Sequence, residues 1–381
     1  MLLYPKPLDL YPAEWVDALY PYLDSKSLWE LTHHIDQERL ESASLKDYFK
    51  TIQRLSQLPQ STLPAFTPPQ SSWDFMTVKK KHEISHLYPH IEELRKSHSI
   101  DHVVDIGGGQ GHFAQLIAFH QKVKTTSLDL DGPLQQAGDR RQVKKWGEKV
   151  IGFKTHKLSY PDTDFSQLLT QTTLTTGLHT CGSLACAQIM GSADKRSSIF
   201  NLGCCYHRLE PEFTNLSLEA QKNPLPFNRF ALTLASGPYQ KVSRHDVNLR
   251  NHVKRFRYTF HILLCEEYGI TEQVTLGNCD EELYFGDFSD YAREQFRRLE
   301  LAYTGSDESL NNFQKDPTRV QLVNKMISTG LVRDSLSRPL EVAILIDRGL
   351  WLEERGYTAE LIEVFDAKQS PRNIALIATP T

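Results

Sequence analysis

Two histidine–cysteine clusters and a run of glycines carry the chemistry open to this chain. The first cluster is His179-Thr180-Cys181-Gly182, and the second is Gly203-Cys204-Cys205-Tyr206-His207. Imidazoles titrate near neutral pH and take protons from hydroxyls or amines. Thiols offer a nucleophile or a metal ligand. The glycines stand at 107, 109 and 111 in Val103-Val104-Asp105-Ile106-Gly107-Gly108-Gly109-Gln110-Gly111. Such a run lets backbone turn tightly and lie against a ligand where a Cβ would collide.

The elements that must position these groups follow from periodicity. Val103 to Ile106 reads as a strand, and His112 to His120 has apolar residues at helical spacing. Val123 to Leu128 reads as a second strand ending in Asp129. An acid roughly 20 residues beyond a glycine loop is placed to accept the two hydroxyls of a ribose. Dinucleotide folds space the glycines differently, with a third glycine one residue later than here. Asp105, before the loop, would repel a pyrophosphate but suits the ammonium group of an amino acid. Adenosine joined to a methionine moiety is S-adenosylmethionine, so the spacing predicts a methyl-donor site and disfavours a nicotinamide one. The expected donor-binding set is Asp105, Gly107, Gly109, Gln110, Gly111, Asp129 and Leu130. His179 lines the pocket, and Lys80 or His82 reaches the donor carboxylate or an anionic substrate.

The chain of 381 residues has room for about two to three domains. Its 40% hydrophobic and 24% charged residues are ordinary for a soluble protein. A net charge of -4 argues against a wholly basic nucleic-acid binder, though not against a local basic patch. No apolar run approaches the roughly 20 residues that span a bilayer, and the first residues lack the apolar core of a signal peptide. Six dispersed cysteines argue for a reducing interior. Cytoplasm is the expectation, with a nuclear pool left open.

Residues 1–95 read as a helical N-terminal region, with Leu28, Leu31, His34 and Ile35 at helical spacing. Gln57 to Ser72 reads as a surface linker ahead of the basic cluster Lys79-Lys80-Lys81-His82. Residues 96–208 carry five alternating strands of a methyltransferase core, and 209–335 form a mainly helical insertion. Residues 336–381 complete the core with a helix and a terminal hairpin. The expected fold class is α/β: a Rossmann-like class I methyltransferase with a seven-stranded doubly wound sheet, its last strand antiparallel. After the third strand stand His156 and Lys157 rather than an acid for the adenine amine, which leaves adenine to backbone groups.

Several phrases resemble the methyltransferase-like protein 25 family, also called rRNA-adenine-dimethylase-domain-containing proteins. They are Met76 to Ile84, the Gly107 loop, Leu178 to Gly182, Gly203 to His207, Glu341 to Arg348 with Trp351 to Glu354, and Ser370 to Ala375. Together they cover most of the chain in order. The paired cysteines also resemble, more weakly, the tRNA 2′-O-methyltransferases of the acceptor stem. The resemblance implies an S-adenosylmethionine-dependent enzyme. The Asn/Asp-Pro-Pro-Tyr/Phe signature of exocyclic adenine methylation is absent after the fourth strand, so adenine dimethylation is disfavoured despite the family name.

Within that frame, His207 is expected as base or substrate-orienting group. His179 is expected to line the donor or acceptor pocket, and Tyr206 to stack on a base or cap the cofactor. The cysteines admit three readings: ligands, together with His179 and His207, for a zinc ion held by Cys181, Cys204 and Cys205; a transiently methylated nucleophile, with Cys205 the candidate; or small buried side chains. No metal is expected, because adjacent cysteines rarely chelate one ion comfortably and no Cys-x-x-Cys pair is present. The leading expectation is a macromolecular acceptor, with RNA modification slightly ahead of protein. It rests on Tyr239 to Tyr268, where Lys241, Arg244, Arg250, Lys254, Arg255 and Arg257 interleave with Phe256, Tyr258 and Phe260. The rival is a donor-binding scaffold without turnover. A companion protein at the N-terminal region is left open.

Overall fold

The computed structural model describes residues 11–19, 23, 40–237, 244–272, 274–367 and 370–381. The helical pattern at Leu28 to Ile35, and Lys241, lie outside the described residues. The chain divides into two compact units: Met1–Leu55 with Gln240–Leu336, and Ser56–Tyr239 with Ser337–Thr381.

The second unit is built on seven strands: β1 (His102–Ile106), β2 (Lys124–Asp129), β3 (Gly152–Thr155), β4 (Thr173–Cys181), β5 (Ser198–Cys204), β6 (Tyr357–Glu363) and β7 (Ile374–Pro380). Their order is β3-β2-β1-β4-β5-β7-β6. The first five are parallel, and β7 runs antiparallel to both β5 and β6. This is the class I methyltransferase sheet expected from the sequence, interrupted after β5 and completed by the terminal hairpin.

Every residue of β1 and β5 is buried, which a parallel strand requires because helices cover both its faces. On one face the helix Val78–Ser97 contributes Ile84, Leu87, Tyr88 and Ile91, and the helix His112–Gln121 adds Phe113, Leu116 and Ile117, to one core with Val103, Leu174 and Phe200. Chain order reverses between β1 and β4. Ligands bind such sheets beyond the carboxyl ends of the strands at that switch point. The glycine loop leaves β1 there, and both histidine–cysteine clusters lie at the same edge, at the ends of β4 and β5.

The grouping differs from the sequence-based division. Residues 56–95 and 209–239 fall in the sheet unit, although they read as N-terminal region and insertion. The supposed linker explains part of this. The amide of Glu363 donates to the carbonyl of Pro59, and the amide of Ser61 to that of Glu363, so the segment pairs with the edge strand β6. A polar, proline-bearing stretch can close a sheet edge without showing strand periodicity.

The first unit is helical. The longest helix among its described residues, Arg244–Tyr268, buries Phe256, Phe260, Ile262, Leu263 and Leu264 against Tyr284, Phe288, Tyr291 and Phe296. The ring of Phe256 meets that of Phe288 edge to face at a centroid distance of 5.5 Å, and Phe260 meets Phe296 at 5.0 Å. Among the described residues no helix is long and apolar enough to cross a membrane.

Candidate active site

The glycine loop is held from below and from the side. Gly107, Gly109 and Gly111 all take positive φ, a conformation that costs other residues strain. The amide of Gly107 donates to the carbonyl of Leu128 at 2.8 Å, tying the loop to the end of β2. The amide of Gly109 donates to Asp129 Oδ2 at 2.8 Å, and that of Asp131 to Asp129 Oδ1 at 2.9 Å. The carboxylate predicted to grip a ribose therefore faces the loop. An ionised carboxylate has roughly four acceptor positions, so both oxygens keep capacity for a ligand's hydroxyls. A Cβ built on Gly109 would meet nothing within 4 Å. The space beside Gly109, whose amide Asp129 holds, is thus open. Leu130, the residue after Asp129, is 71% exposed.

Three members of the expected donor set have other duties. Asp105 is only 3% exposed and accepts from Thr176 Oγ1 at 3.1 Å. A Cβ on Gly108 would come within 2.7 Å of its Oδ2. It supports the loop from beneath rather than presenting a surface to a ligand's ammonium. Burial pushes its carboxyl up to about 6, against the bond from Thr176 and the nearby Lys80 charge. Gly111 is required by packing, since a Cβ there would come within 2.9 Å of Ile151 and Phe153 side-chain atoms. Gln110 spends its side-chain oxygen on the Arg141 guanidinium. That guanidinium also lies 5.0 Å from the ring centroid of Phe75, which is 61% exposed.

At the end of β4, His179 takes φ +64, within a register shift between Leu178 and Thr180. Its Nε2 lies 2.9 Å from Glu83 Oε1, which also accepts from Ser370 Oγ at 2.8 Å. Glu83 is 2% exposed. Burial opposes its ionisation, yet the His179 and Ser370 bonds and the Lys80 charge hold the carboxyl below the usual carboxylate range. Against an ionised acceptor Nε2 must carry the proton, which leaves Nδ1 as the acceptor atom of the ring. This is the base-plus-orienting-acid arrangement of many proton-transfer sites. Sequence reasoning missed Glu83, and its one signal was an acid directly after the basic residues at 79–82.

The remaining candidates part company. Tyr206 is not available to cap or stack on a ligand: it is 1% exposed, and its hydroxyl donates to Glu341 at 3.3 Å. The Arg348 and Arg372 guanidinium carbons lie 5.7 and 5.9 Å from its ring centroid. Burial drives its phenol far above the ordinary range. His207 is exposed, and its backbone amide donates to Ser236 Oγ at 2.9 Å. His82 packs against Phe365 rather than toward the loop. After β3, the His156 ring is paired with Asp162 at 2.7 Å. Asp162 also accepts from the amides of Ser159 and Phe165, so neither side chain is left for adenine. The thiols of Cys181, Cys204 and Cys205 lie within 4.8 Å of one another.

On the basic helix Arg244–Tyr268, two of the aromatics and three of the cations named from the sequence are engaged within the unit, while Arg250 is exposed. Phe256 and Phe260 are core residues. Lys254 pairs with Asp334 at 3.2 Å, Arg255 donates to Asn324 and the carbonyl of Leu23, and Arg257 donates to Asn278. Phe256 and Phe260 serve interhelical packing here, and Arg255 and Arg257 brace the same unit.

Residues 79–212 match the family described as methyltransferase domain. The chain is 28% identical over 229 residues to probable methyltransferase-like protein 25 of Homo sapiens, covering 54% of this chain and 36% of that protein. The protein of the same name in Mus musculus is 26% identical over 224 residues, covering 54% and 37%. The chain thus matches little more than a third of these relatives' length. Among solved structures, a putative sarcosine dimethylglycine methyltransferase from Galdieria sulphuraria aligns at TM-score 0.27 and 9% identity, covering 87% of this chain and 97% of that one. Coclaurine N-methyltransferase bound to N-methylheliamine and SAH aligns at TM-score 0.26 and 12% identity, covering 51% and 59%.

Proposed function

We propose that this chain, whose residues 79–212 match the methyltransferase-domain family and which is 28% identical over 229 residues to probable methyltransferase-like protein 25, is an S-adenosylmethionine-dependent methyltransferase acting on a macromolecule, RNA ahead of protein. The observation that carries the reading is the Asp129 carboxylate at the open side of Gly109. When bound, the donor supplies an electrophilic methyl group on a sulfonium sulfur. Asp129 holds the ribose through its remaining acceptor positions, and the exposed Leu130 offers an apolar face to the adenine. Lys80 places a positive charge for the donor's carboxylate. His179, oriented through Nε2 by Glu83, takes the acceptor's proton at Nδ1, a role expected of His207 on sequence grounds.

Support for an RNA acceptor moves from the long helix to the rim of the loop. There Phe75 is exposed with Arg141 over its ring, and Arg141 is fixed to Gln110. An aromatic face beside a guanidinium suits a stacked base followed by a phosphate. The test is transfer of labelled methyl from the donor into total lysate fractionated into RNA and protein, with Asp129→Ala as the blank. Nuclease-sensitive label whose yield falls steeply with salt is the expected result. Label in the protease-sensitive fraction alone removes RNA. Donor binding with no transfer to either fraction leaves the scaffold.

A further inference from the structure

The ends of β4 and β5 bring together a group that chain extension alone would separate. Neighbouring residues of a strand point to opposite faces, so Cys204 and Cys205 should not share a ligand. Cys205 instead takes φ +50, a left-handed turn directly after the last strand residue. That turn brings its Sγ to 3.5 Å from Cys204 Sγ. Cys181 is the register partner of Cys204 across the parallel pair, and their Sγ atoms are 3.2 Å apart. All three Sγ atoms lie within 4.8 Å of one another, with no fourth His, Cys, Asp or Glu ligand atom in the group among the described residues. Cys181 and Cys205 are part-exposed, so solvent reaches the cluster, while Cys204 forms its buried base.

From this geometry we infer that Cys181, Cys204 and Cys205 bind one thiophilic cation of the zinc class, leaving a fourth position open. Zinc bonds thiolate sulfur at ~2.3 Å, which sets tetrahedral S···S separations of about 3.8 Å. Two of the separations, 3.2 and 3.5 Å, fall a few tenths of an ångström short of that value and all three lie within 4.8 Å, so rotation about Cα–Cβ that spreads the thiols would seat an ion. The carbonyl of His179, which the thiols of Cys204 and Cys181 approach at 3.3 and 3.5 Å, lines the same side. Binding is a ligand exchange: three thiols lose their protons to solvent, and the metal sheds water as three Zn–S bonds form. No redox step is involved. Three protein ligands and an open position distinguish this site from a closed structural zinc, whose fourth ligand is also protein. The open position takes water or an anionic sulfur or oxygen from outside. On sequence grounds adjacent cysteines rarely chelate one ion comfortably, but the left-handed Cys205 turns the second thiol back toward the first.

The test uses the whole chain, purified under reductant, loaded with zinc and dialysed against metal-free buffer. Atomic spectroscopy should find one zinc per chain, and X-ray absorption a shell of three sulfurs at about 2.3 Å plus one lighter atom. Competition with a chromophoric chelator should show Cys181→Ser and Cys205→Ser each weakening binding by at least 100-fold, while Cys186→Ser and Cys265→Ser leave it unchanged. Circular dichroism reports whether each variant folds; should the cluster variants unfold, the sulfur shell of the unaltered chain decides. Substoichiometric zinc, a shell with fewer than three sulfurs, or undiminished retention in the Cys181→Ser, Cys205→Ser double variant overturns the site. So does a Cys181–Cys204 disulfide in place of metal. None of these outcomes touches the methyl-donor reading, which is read by donor binding.

Discussion

The backbone amide of Gly109 donates to Asp129 Oδ2 at 2.8 Å, joining the turn after the first strand to the acid ending the second. One carboxylate fixes the loop and keeps acceptor positions beside open space, so loop shape and the proposed donor grip depend on the same group.

Two glycine substitutions should separate those duties. Gly109→Ala places a methyl in open space at φ +56, so its cost to folding is backbone strain of about 1 kcal/mol. The methyl enters the space proposed for the donor, however, and donor affinity by calorimetry should fall by at least 10-fold. Gly138→Ala drives a Cβ to 2.6 Å from the Gln110 carbonyl and 2.7 Å from Phe153, and should lower the melting temperature more than Gly109→Ala does. Asp129→Ala should remove about 1.5–3 kcal/mol of donor binding, the usual worth of hydrogen bonds to a charged group. Unchanged donor affinity in both Gly109→Ala and Asp129→Ala would remove the donor from this loop.

The Glu83–His179 pair predicts a different signature. His179→Ala should keep donor binding and lose transfer by roughly 100- to 10,000-fold, the usual range for general base catalysis. Glu83→Gln should lose part of that rate, because an amide can donate as well as accept and no longer fixes the proton on Nε2 as a carboxylate does. Added imidazole should restore transfer in His179→Ala but not in Asp129→Ala. If His207→Ala instead abolishes transfer while His179→Ala is silent, the base has been assigned to the wrong strand end.

Tyr206→Phe tests the reassignment of that residue from ligand to core. It deletes a hydroxyl bonded to Glu341, whose carboxylate also accepts from Arg338 and Arg372. The expected result is about 1 kcal/mol of lost stability by chemical denaturation, the worth of one buried bond. Donor affinity should stay within twofold. A large loss of donor affinity would return Tyr206 to the site.

What the sequence disclosed follows a physical line. The strands around Gly107, Asp129 and His179 were legible because each is a short β-prone run closed by a turn or polar signal. The glycine loop was legible because its spacing is dictated by backbone clearance. Glu83 was hidden because it lies 96 positions from His179, and nothing local marks a long-range pair. Phe256 and Phe260 show the converse. Four-residue spacing says that two rings share a helix face, but not whether that face meets water or another helix. The Ser370-Pro371-Arg372-Asn373 phrase was recognised without a reason, and the contacts supply one. Ser370 donates to Glu83, Arg372 to Glu341 and the carbonyls of Ala235 and Gly237, and Asn373 to the carbonyl of Phe365.

Asp105 carries the last prediction, because its burial fixes both sign and window. Its carboxyl is raised from an ordinary 3.8 to about 6, so between those values the folded chain holds a proton that the unfolded chain releases. The unfolded state then binds fewer protons, and stability falls as pH rises. A shift of about two units corresponds to roughly 3 kcal/mol of stability, present in full below pH ~4 and gone above pH ~6. Asp105→Asn keeps an oxygen for the Thr176 hydroxyl but cannot ionise, so it should be the more stable protein at pH 7.5 and no more stable at pH 4. Denaturant unfolding of both proteins across that range measures the difference. A stabilisation independent of pH would mean that the carboxyl is already ionised at pH 4, and that its burial is offset by a stronger positive charge than Lys80 supplies.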